Sequence, residues 1–465
     1  MNPEPSLYPC GRISRRHFFF QSGAGFLGAA MGALWAEDGK LKNPRPIRHA
    51  PARARAVIFL FMCGGVSHID TFDPKDNKWA GKLIDAVGFG DNMADMKRPV
   101  IPCHRTFTRH GKSGTPVSDW FPHIGSVVDD IALIRSMWCQ ETNHFPAVVE
   151  MATGHRDRIL EHPTLGSWVS YALGTENQNL PAFVSIGRPS SPVQLSAGYL
   201  GASVSATPFQ TGEVPIANLR PPKHSNRTDR EAQMTALEDL NREFRERYRI
   251  NQIVAARSKA YQLAASMQMS APEAVDFSSE PRSVKNLYGL DEKETDDFGK
   301  QLLLARRLVE RGVRFVQICH AGGGNGAWDA HDDIVSHAPL CRQVDKPIAG
   351  LIQDLKQRGM LDETLVVWTS EFGRTPWSQN TTGRDHNPKG FSSWIAGGGI
   401  RGGQVYGATD EVGYRAVENK VYINDLQATI LHQLGLDHKQ MELEIDGRPV
   451  RLVEEGSHPV WGLLG

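Results

Sequence analysis

The chain has 465 residues, with 52 lysines and arginines against 52 aspartates and glutamates, so its formal net charge is zero. This length is ample for a large hydrophobic core. The balanced charge gives no reason to expect nucleic acid or an anionic membrane surface as a partner.

The N-terminal segment predicts a twin-arginine signal peptide. Arg15 and Arg16 precede three phenylalanines, and a weakly apolar stretch rich in glycine and alanine follows at 23–35. That stretch is too short for a comfortable membrane span, which needs about 20 apolar residues. We predict a signal peptide at 1–36, a polar linker at 37–55, and export of the folded protein to the periplasm or cell surface. An uncleaved signal anchor stays open, with no other transmembrane segment expected.

Apolar runs bounded by glycine or polar residues predict strands buried on both faces, as is common in parallel sheets. These runs lie at 56–62, 131–134, 181–186, 314–318, 364–368 and 393–396. Helical patterns alternate with them at 165–173, 301–311, 339–358 and 425–434. The alternation predicts an α/β domain over 56–465, in which helices sandwich a large mixed or parallel sheet.

Two further features concern organisation. The segment from 229 to about 275 is highly charged with helical spacing, which predicts a helical insertion in the α/β domain. Five cysteines outside the signal peptide are scattered and odd in number, so we predict buried apolar residues instead of a disulfide framework. They are Cys63, Cys103, Cys139, Cys319 and Cys341.

Acidic, histidine and arginine residues follow four of the predicted strands. In an α/β sheet, functional residues gather at the carboxyl ends of strands. Carboxylates and imidazoles brought together there are ligands for zinc, manganese, iron or calcium. Each residue alone also has a structural explanation: Asp70 suits an Asx turn, Glu371 could pair with an arginine, and His144 could pack beside Phe145. Recurrence at four strand ends favours a metal site.

Other chemistries find little support. There is no Gly-x-Ser-x-Gly elbow, which argues against a serine-hydrolase triad. The segment 111–114 lacks the spacing and the preceding strand of a phosphate-binding loop. No dinucleotide fingerprint and no haem or iron–sulfur spacing is present, so a redox enzyme is disfavoured.

The motifs GGVSHIDTFDP at 64–74, WDAH at 328–331, SEFGRTP at 370–376 and GRDHNP at 383–388 together resemble the bacterial domain of unknown function 1501 family. The resemblance covers nearly the whole chain after the signal peptide. It implies kinship with the alkaline phosphatase and sulfatase superfamily, whose fold is a large α/β sandwich. It also implies a divalent metal, with zinc, manganese or calcium as candidates.

The resemblance assigns roles residue by residue. Asp329 and His331 are similar to a metal-binding pair of that superfamily, Glu371 replaces a metal-binding aspartate, and His386 is similar to a later metal or substrate histidine. Asp70 or His68 could reach back to supply the ligand that the superfamily places at the end of its first strand.

The position of the nucleophile departs from the superfamily. His144 stands where sulfatases have a cysteine or serine, and Val148 where they have its partner arginine. A formylglycine cannot form from histidine, so sulfatase chemistry in its usual form is not expected.

Two hypotheses follow. The first is an exported metal-dependent hydrolase or transferase acting on a phosphate or sulfate ester of a small molecule or polysaccharide. In it, His144 is a ligand, a general acid or a nucleophile, and Arg374 and Arg384 neutralise the substrate. The predicted metal ligands are Asp70, Asp329, His331, Glu371 and His386. The second hypothesis is a non-catalytic exported binding or scaffold protein on the same fold.

Overall fold

The computed structural model describes residues 49–86, 96–156, 160–211, 273–378, 382–445 and 447–465, with isolated positions between 232 and 267. The predicted signal peptide, most of the linker and almost all of the helical insertion at 229–275 lie outside these residues and stay predictions. Within the described ranges, no helix has the length and apolar character needed to cross a membrane.

The secondary structure alternates between strands and helices along the chain. The strands are β1 (Ala56–Met62), β2 (Leu83–Ala86), β3 (Met96–Pro99), β4 (Phe107–His110), β5 (Thr115–Ser118), β6 (Ile131–Trp138), β7 (Phe183–Gly187), β8 (Thr207–Phe209), β9 (Phe315–His320), β10 (Thr364–Thr369), β11 (Gly373–Arg374), β12 (His386–Asn387), β13 (Phe391–Ala396), β14 (Gln404–Tyr406), β15 (Ala408–Thr409), β16 (Ala416–Glu418), β17 (Val421–Tyr422), β18 (Glu442–Ile445) and β19 (Arg448–Arg451). The helices are α1 (Pro122–Ser126), α2 (His144–Thr153), α3 (Leu165–Leu173), α4 (Arg282–Leu287), α5 (Asp296–Glu310), α6 (His337–Gln357) and α7 (Ile423–Gln433).

One large mixed sheet organises the fold. Its strand order is β14-β6-β13-β10-β1-β9-β7-β8, with β17 also paired to β6. The central strand β1 runs parallel to β9 and β10, and β7 runs parallel to β8 and β9. In contrast, β13 runs antiparallel to both β10 and β6. The predicted class, a large mixed α/β sheet, is confirmed.

Helices cover both faces of the sheet, and each strand directs alternate side chains to opposite faces. From β1, Ile58 and Leu60 enter one hydrophobic cluster with residues of α5 and α6. Val57 and Phe59 enter a second cluster with residues of α2, α3 and α7. Helices on both faces explain why the strand sequences are continuously apolar.

Strand β13 is buried along its whole length and runs antiparallel to both of its neighbours. A strand that helices cover on both faces is buried along its length in either direction. Its burial therefore does not indicate whether it runs parallel or antiparallel to its neighbours. The prediction for the cysteines is confirmed: Cys63, Cys103, Cys139, Cys319 and Cys341 are free and buried.

Candidate metal centre

Loops from separate parts of the chain meet at one edge of the sheet. Strands β1, β6, β9 and β10 all end there, and β13 begins there because it runs the opposite way. The loops after β6, β9 and β10 and the short strand β12 therefore converge. Four side chains, His144, Asp329, His331 and His386, each place one possible ligand atom within 4.8 Å of the others.

His144 is the first residue of α2 and is oriented by a buried carboxylate. Its Nδ1 lies 2.8 Å from Oε1 of Glu371. Its Nε2 points to the cluster, 3.2 Å from Oδ2 of Asp329. That contact lacks hydrogen-bond geometry, so the buried Nε2 atom has no hydrogen-bond partner within the described residues. A buried nitrogen in this condition fits a position that faces a metal ion.

His331 and His386 are oriented in the same manner by other acceptors. Nδ1 of His331 lies 3.2 Å from Oδ1 of Asp385, and Nδ1 of His386 lies 2.7 Å from the backbone oxygen of Thr142. The two Nε2 atoms lie only 2.9 Å apart. If both Nδ1 atoms carry the proton, two lone pairs face each other at this distance, and a cation between them removes the repulsion.

Asp329 supplies the negative charge of the cluster. Its Oδ1 lies 3.1 Å from Nε2 of His331 and 3.4 Å from Nε2 of His386. Nη2 of Arg374 donates to the same oxygen at 2.8 Å, and Nδ2 of Asn325 donates to Oδ2 at 3.2 Å. Arg374 and Asn325 therefore each hold one oxygen of the carboxylate in place.

The pKa values of the cluster residues are shifted by burial and by their contacts with one another. Hydrogen bonds to Asp329 and Asp385 raise the pKa of His331 to about 9. Burial lowers the pKa of His386 to about 3, although Asp329 opposes the shift. Burial would raise the pKa of Asp329, but its close contacts with three histidines lower it well below its usual value.

Three imidazoles whose Nδ1 atoms are each held by an oxygen, with Nε2 atoms converging on a carboxylate, fit a divalent ion. Histidine ligands in metal sites usually donate their second N–H to a carboxylate or backbone carbonyl, which fixes the tautomer and the ring orientation. Here Glu371, Asp385 and the Thr142 carbonyl provide those three acceptors. The residues present therefore suit a metal site by their chemistry as well as by their proximity.

Glu371, predicted as a ligand, lies outside the four-residue cluster. Its two oxygens accept the backbone N–H of Gly64 at 3.0 and 3.1 Å, and Oε1 also contacts His144. The side chain is fully buried. Its contacts make it a residue that orients His144.

Arg374 contacts Asp329 but has no surface for a substrate. Its guanidinium is fully buried. Its donors go to the carbonyls of Gly64, Gly65, Trp328 and Arg384 and to the Asp329 carboxylate. The predicted contact with an anionic substrate is not available to a side chain in this position.

Asp70 and Arg384 form a buried ion pair away from the cluster. Nε and Nη2 of Arg384 lie 2.7 and 3.3 Å from the Asp70 carboxylate, and Nη1 donates to the Thr375 carbonyl. Burial would raise the pKa of Asp70, but the charge and hydrogen bonds of Arg384 lower it. Neither predicted role is met, since Asp70 turns to the guanidinium instead of the cluster and Arg384 has no exposed side chain.

Gly64 shows why the end of β1 carries no side-chain ligand. Its φ is +119°, and a Cβ there would lie 2.5 Å from the backbone nitrogen of Asp329. The backbone of the 328–331 segment thus occupies the space that a ligand at this position would need. The glycine permits both this close approach and the hydrogen bond to Glu371.

A cleft of about 450 Å³ opens above the cluster. Its lining residues are Asn143, His144, Phe145, Pro146, Asn325, Asp329, His331 and His386. The side chain of His331 is 27% exposed and that of Asp329 is 14% exposed, so the cluster is accessible from solvent. A small molecule can therefore approach it.

Substituting Glu371 with glutamine should weaken metal binding about 10–100-fold, the usual effect of losing a partner of a metal-bound histidine. The carboxylate fixes the tautomer of His144 and raises its basicity, and an amide does this poorly. Competition with a chelating dye measures the affinity. Glu141→Gln, in the loop before α2, is the control and should bind metal as the parent does. Equal affinity in Glu371→Gln and the parent would contradict the role.

The fold and the cluster together define an α/β protein with a three-histidine, one-aspartate centre at the carboxyl edge of its sheet. The chain belongs to the family described as a protein of unknown function, DUF1501, whose model matches residues 54–464. No curated protein matches the sequence.

Solved structures with similar folds include enzymes of several kinds. The lipoteichoic acid synthase LtaP from Listeria monocytogenes has 8% identity and a TM-score of 0.36, over 92% of this chain and 81% of that one. The PsFucS1 sulfatase from Pseudoalteromonas sp. has 14% identity and a TM-score of 0.35, over 83% and 68%. The phosphonate monoester hydrolase SpPMH from Silicibacter pomeroyi has 14% identity and a TM-score of 0.32, over 70% of each chain. Likenesses at these TM-scores carry no argument about substrate or mechanism.

Proposed function

We propose that the protein is a metal-dependent hydrolase that cleaves a phosphate or sulfate ester, with a small molecule or a glycan as the esterified group. The observation that carries the proposal is the convergence of three Nε2 atoms and one carboxylate at the base of an open cleft. In this proposal His144, Asp329, His331 and His386 hold one divalent ion.

The ligand set favours zinc or manganese over calcium. Calcium takes six to eight oxygen ligands, whereas three of the four groups here are imidazoles. Zinc binds nitrogen and oxygen ligands of this kind, and more tightly than manganese in a given site. We therefore propose zinc as the first ion to test and manganese as the second.

The ion would polarise the ester and lower the pKa of a bound water toward ~7, a function of divalent metals in hydrolases. The protein's own residues orient the proposed metal ligands. Glu371, Asp385 and the Thr142 carbonyl keep the three Nε2 atoms directed at the cluster, and Arg374 keeps Asp329 among them. We propose these as positioning residues.

Among the roles open to His144, that of a ligand has the best support. Its Nδ1 is engaged by Glu371 and its Nε2 faces Asp329, so neither nitrogen is directed at the centre of the cleft as a nucleophile. Water is then the nucleophile. Its oxygen bonds to phosphorus or sulfur, the ester bond to the leaving oxygen breaks, and that oxygen takes up the proton that the water loses.

The second candidate is a scaffold that keeps the metal for structure. Two observations favour it. The described residues that line the cleft include no serine, threonine or cysteine. In addition, four protein ligands close a tetrahedral zinc site, whereas a catalytic ion keeps a position open. The cleft above Asp329 and His331 favours hydrolysis, because it offers room for a further ligand.

The deciding experiment combines elemental analysis with an ester assay on the purified protein. We expect about one zinc or manganese ion per chain. We also expect release of p-nitrophenol from p-nitrophenyl sulfate, p-nitrophenyl phosphate or bis(p-nitrophenyl) phosphate, abolished by a chelator and restored by added metal. Stoichiometric metal with no hydrolysis of any ester would favour the scaffold. Protein that binds no metal would overturn both metal-based candidates.

A further inference from the structure

The cleft above the cluster is uncharged apart from the cluster itself. Its remaining lining residues are Asn143, Phe145, Pro146 and Asn325, and the described part of the chain places no lysine or arginine among them. Arg374, which contacts Asp329, has no exposed surface. An anionic substrate group would therefore meet the ion as its one source of positive charge in the described cleft.

The charges around the cluster nearly cancel once an ion is bound. Three carboxylates, Asp329, Glu371 and Asp385, contact the histidines, and Arg374 contacts Asp329. A divalent ion together with Arg374 balances these three negative charges. Each negative charge on the substrate therefore adds to a site that is already neutral, so a dianionic ester group is disfavoured more than a monoanionic one.

Phe145 is an aromatic side chain that the fold does not use. It is 52% exposed and belongs to neither of the large core clusters. Burying a phenylalanine side chain stabilises a protein by about 1.5–3 kcal/mol, which this residue largely forgoes. It follows His144 directly in α2 and lines the cleft. An aromatic ring at this position offers a flat surface to the group that carries the ester.

Two amide side chains lie beside this ring. Asn143 occupies the N-cap position of α2, where asparagine commonly accepts a backbone N–H, yet its side chain does not cap the helix. It is exposed and lines the cleft. Asn325 donates one amide hydrogen to Asp329, and its oxygen is an acceptor. Uncharged donors and acceptors beside an aromatic face suit the hydroxyl groups and the apolar face of a sugar ring.

We propose that the cleft recognises a monoanionic ester of a sugar: Phe145 stacks against the ring, Asn143 and Asn325 contact its hydroxyl groups, and the ester group carries a single negative charge. The proposal rests on the proposed function, since it assumes the same cleft and the same ion. It makes Phe145 a specificity-determining residue. Sulfate monoesters and phosphate diesters meet the charge requirement, whereas phosphate monoesters carry nearly two charges above pH ~6.

The test is calorimetric titration of the zinc-loaded protein at pH 8. The probes are the 6-sulfates of galactose, glucose and N-acetylglucosamine, with galactose 6-phosphate and methyl sulfate for comparison. At least one sugar sulfate should bind about 10-fold or more tightly than both comparison compounds. Phe145→Ala should weaken that sugar sulfate about 10-fold, an effect expected from an aromatic contact. It should leave metal content and methyl sulfate binding unchanged, and Phe145→Trp should restore the affinity.

Three outcomes would overturn the proposal: none of the sugar sulfates binds, galactose 6-phosphate binds more tightly, or Phe145→Ala affects methyl sulfate as much as the sugar sulfate. The proposed function is judged separately in the same instrument. Hydrolysis produces continuous heat, so saturable binding without it would contradict the hydrolase and leave the sugar site standing. Lack of zinc in the loaded protein would contradict the metal centre before any sugar is added.

Discussion

Replacing His386 with alanine is expected to reduce the bound metal from about one ion per chain to nearly none. The substitution removes one of three imidazoles and leaves a three-ligand set whose His331 has lost its neighbour at 2.9 Å. It also removes the hydrogen bond to the Thr142 carbonyl, which joins the loop after β6 to β12. Because the affinity of this site depends on its full set of protein ligands, the loss should be close to complete. Elemental analysis after dialysis against a weak chelator measures it.

The matched control is His458→Ala, which changes a histidine of 67% side-chain exposure that lies outside the cluster. It should keep the metal content of the parent. The variants form a series, with metal retained in His458→Ala, weakened in Glu371→Gln and lost in His386→Ala. Retention of stoichiometric metal by a folded His386→Ala variant would contradict the ligand set.

That the candidate site residues lie close together was predictable, because the ends of the strands can be identified from the sequence. Strand β1 and helix α3 have the predicted bounds, and the loops after β6, β9 and β10 meet at one edge as expected. Asp329, His331 and His386 come together from the predicted set, and His144 lies beside them. Hydrophobic runs fix where each loop leaves the sheet, and so they fix which polar residues can meet.

The partners of the ligands were not predictable in the same way. A backbone carbonyl such as that of Thr142 carries no sequence signal, since every residue has one. Asp385 stands beside His386 in the motif, but its partner His331 depends on how two loops cross. The Asp70–Arg384 pair joins residues 314 positions apart. Whether a carboxylate faces a metal or an arginine is decided by such crossings, which residue type and spacing do not specify.

Because Asp70 faces an arginine and not the cluster, Asp70→Asn has the largest expected effect on the free energy of unfolding. If Asp70 were a ligand, as its motif predicts, the variant would lose metal. In the structure its carboxylate instead balances Arg384, and the two side chains are 3% and 0% exposed. Breaking a buried ion pair from one side leaves an uncompensated charge and costs about 3–5 kcal/mol in the free energy of unfolding. We therefore expect denaturant unfolding at a much lower concentration, with metal content retained.

Two controls separate the buried charge from other effects. Glu294→Gln breaks the pair with Arg342, whose side chains are 60% and 55% exposed, and should cost less than about 1 kcal/mol. The double variant Asp70→Leu with Arg384→Met removes both charges and should recover most of the stability lost in Asp70→Asn, because apolar replacement of a buried pair is often neutral. Recovery would identify the unpaired guanidinium as the cause. A stable Asp70→Asn protein that has lost its metal would instead return Asp70 to the ligand set and contradict the four-residue centre.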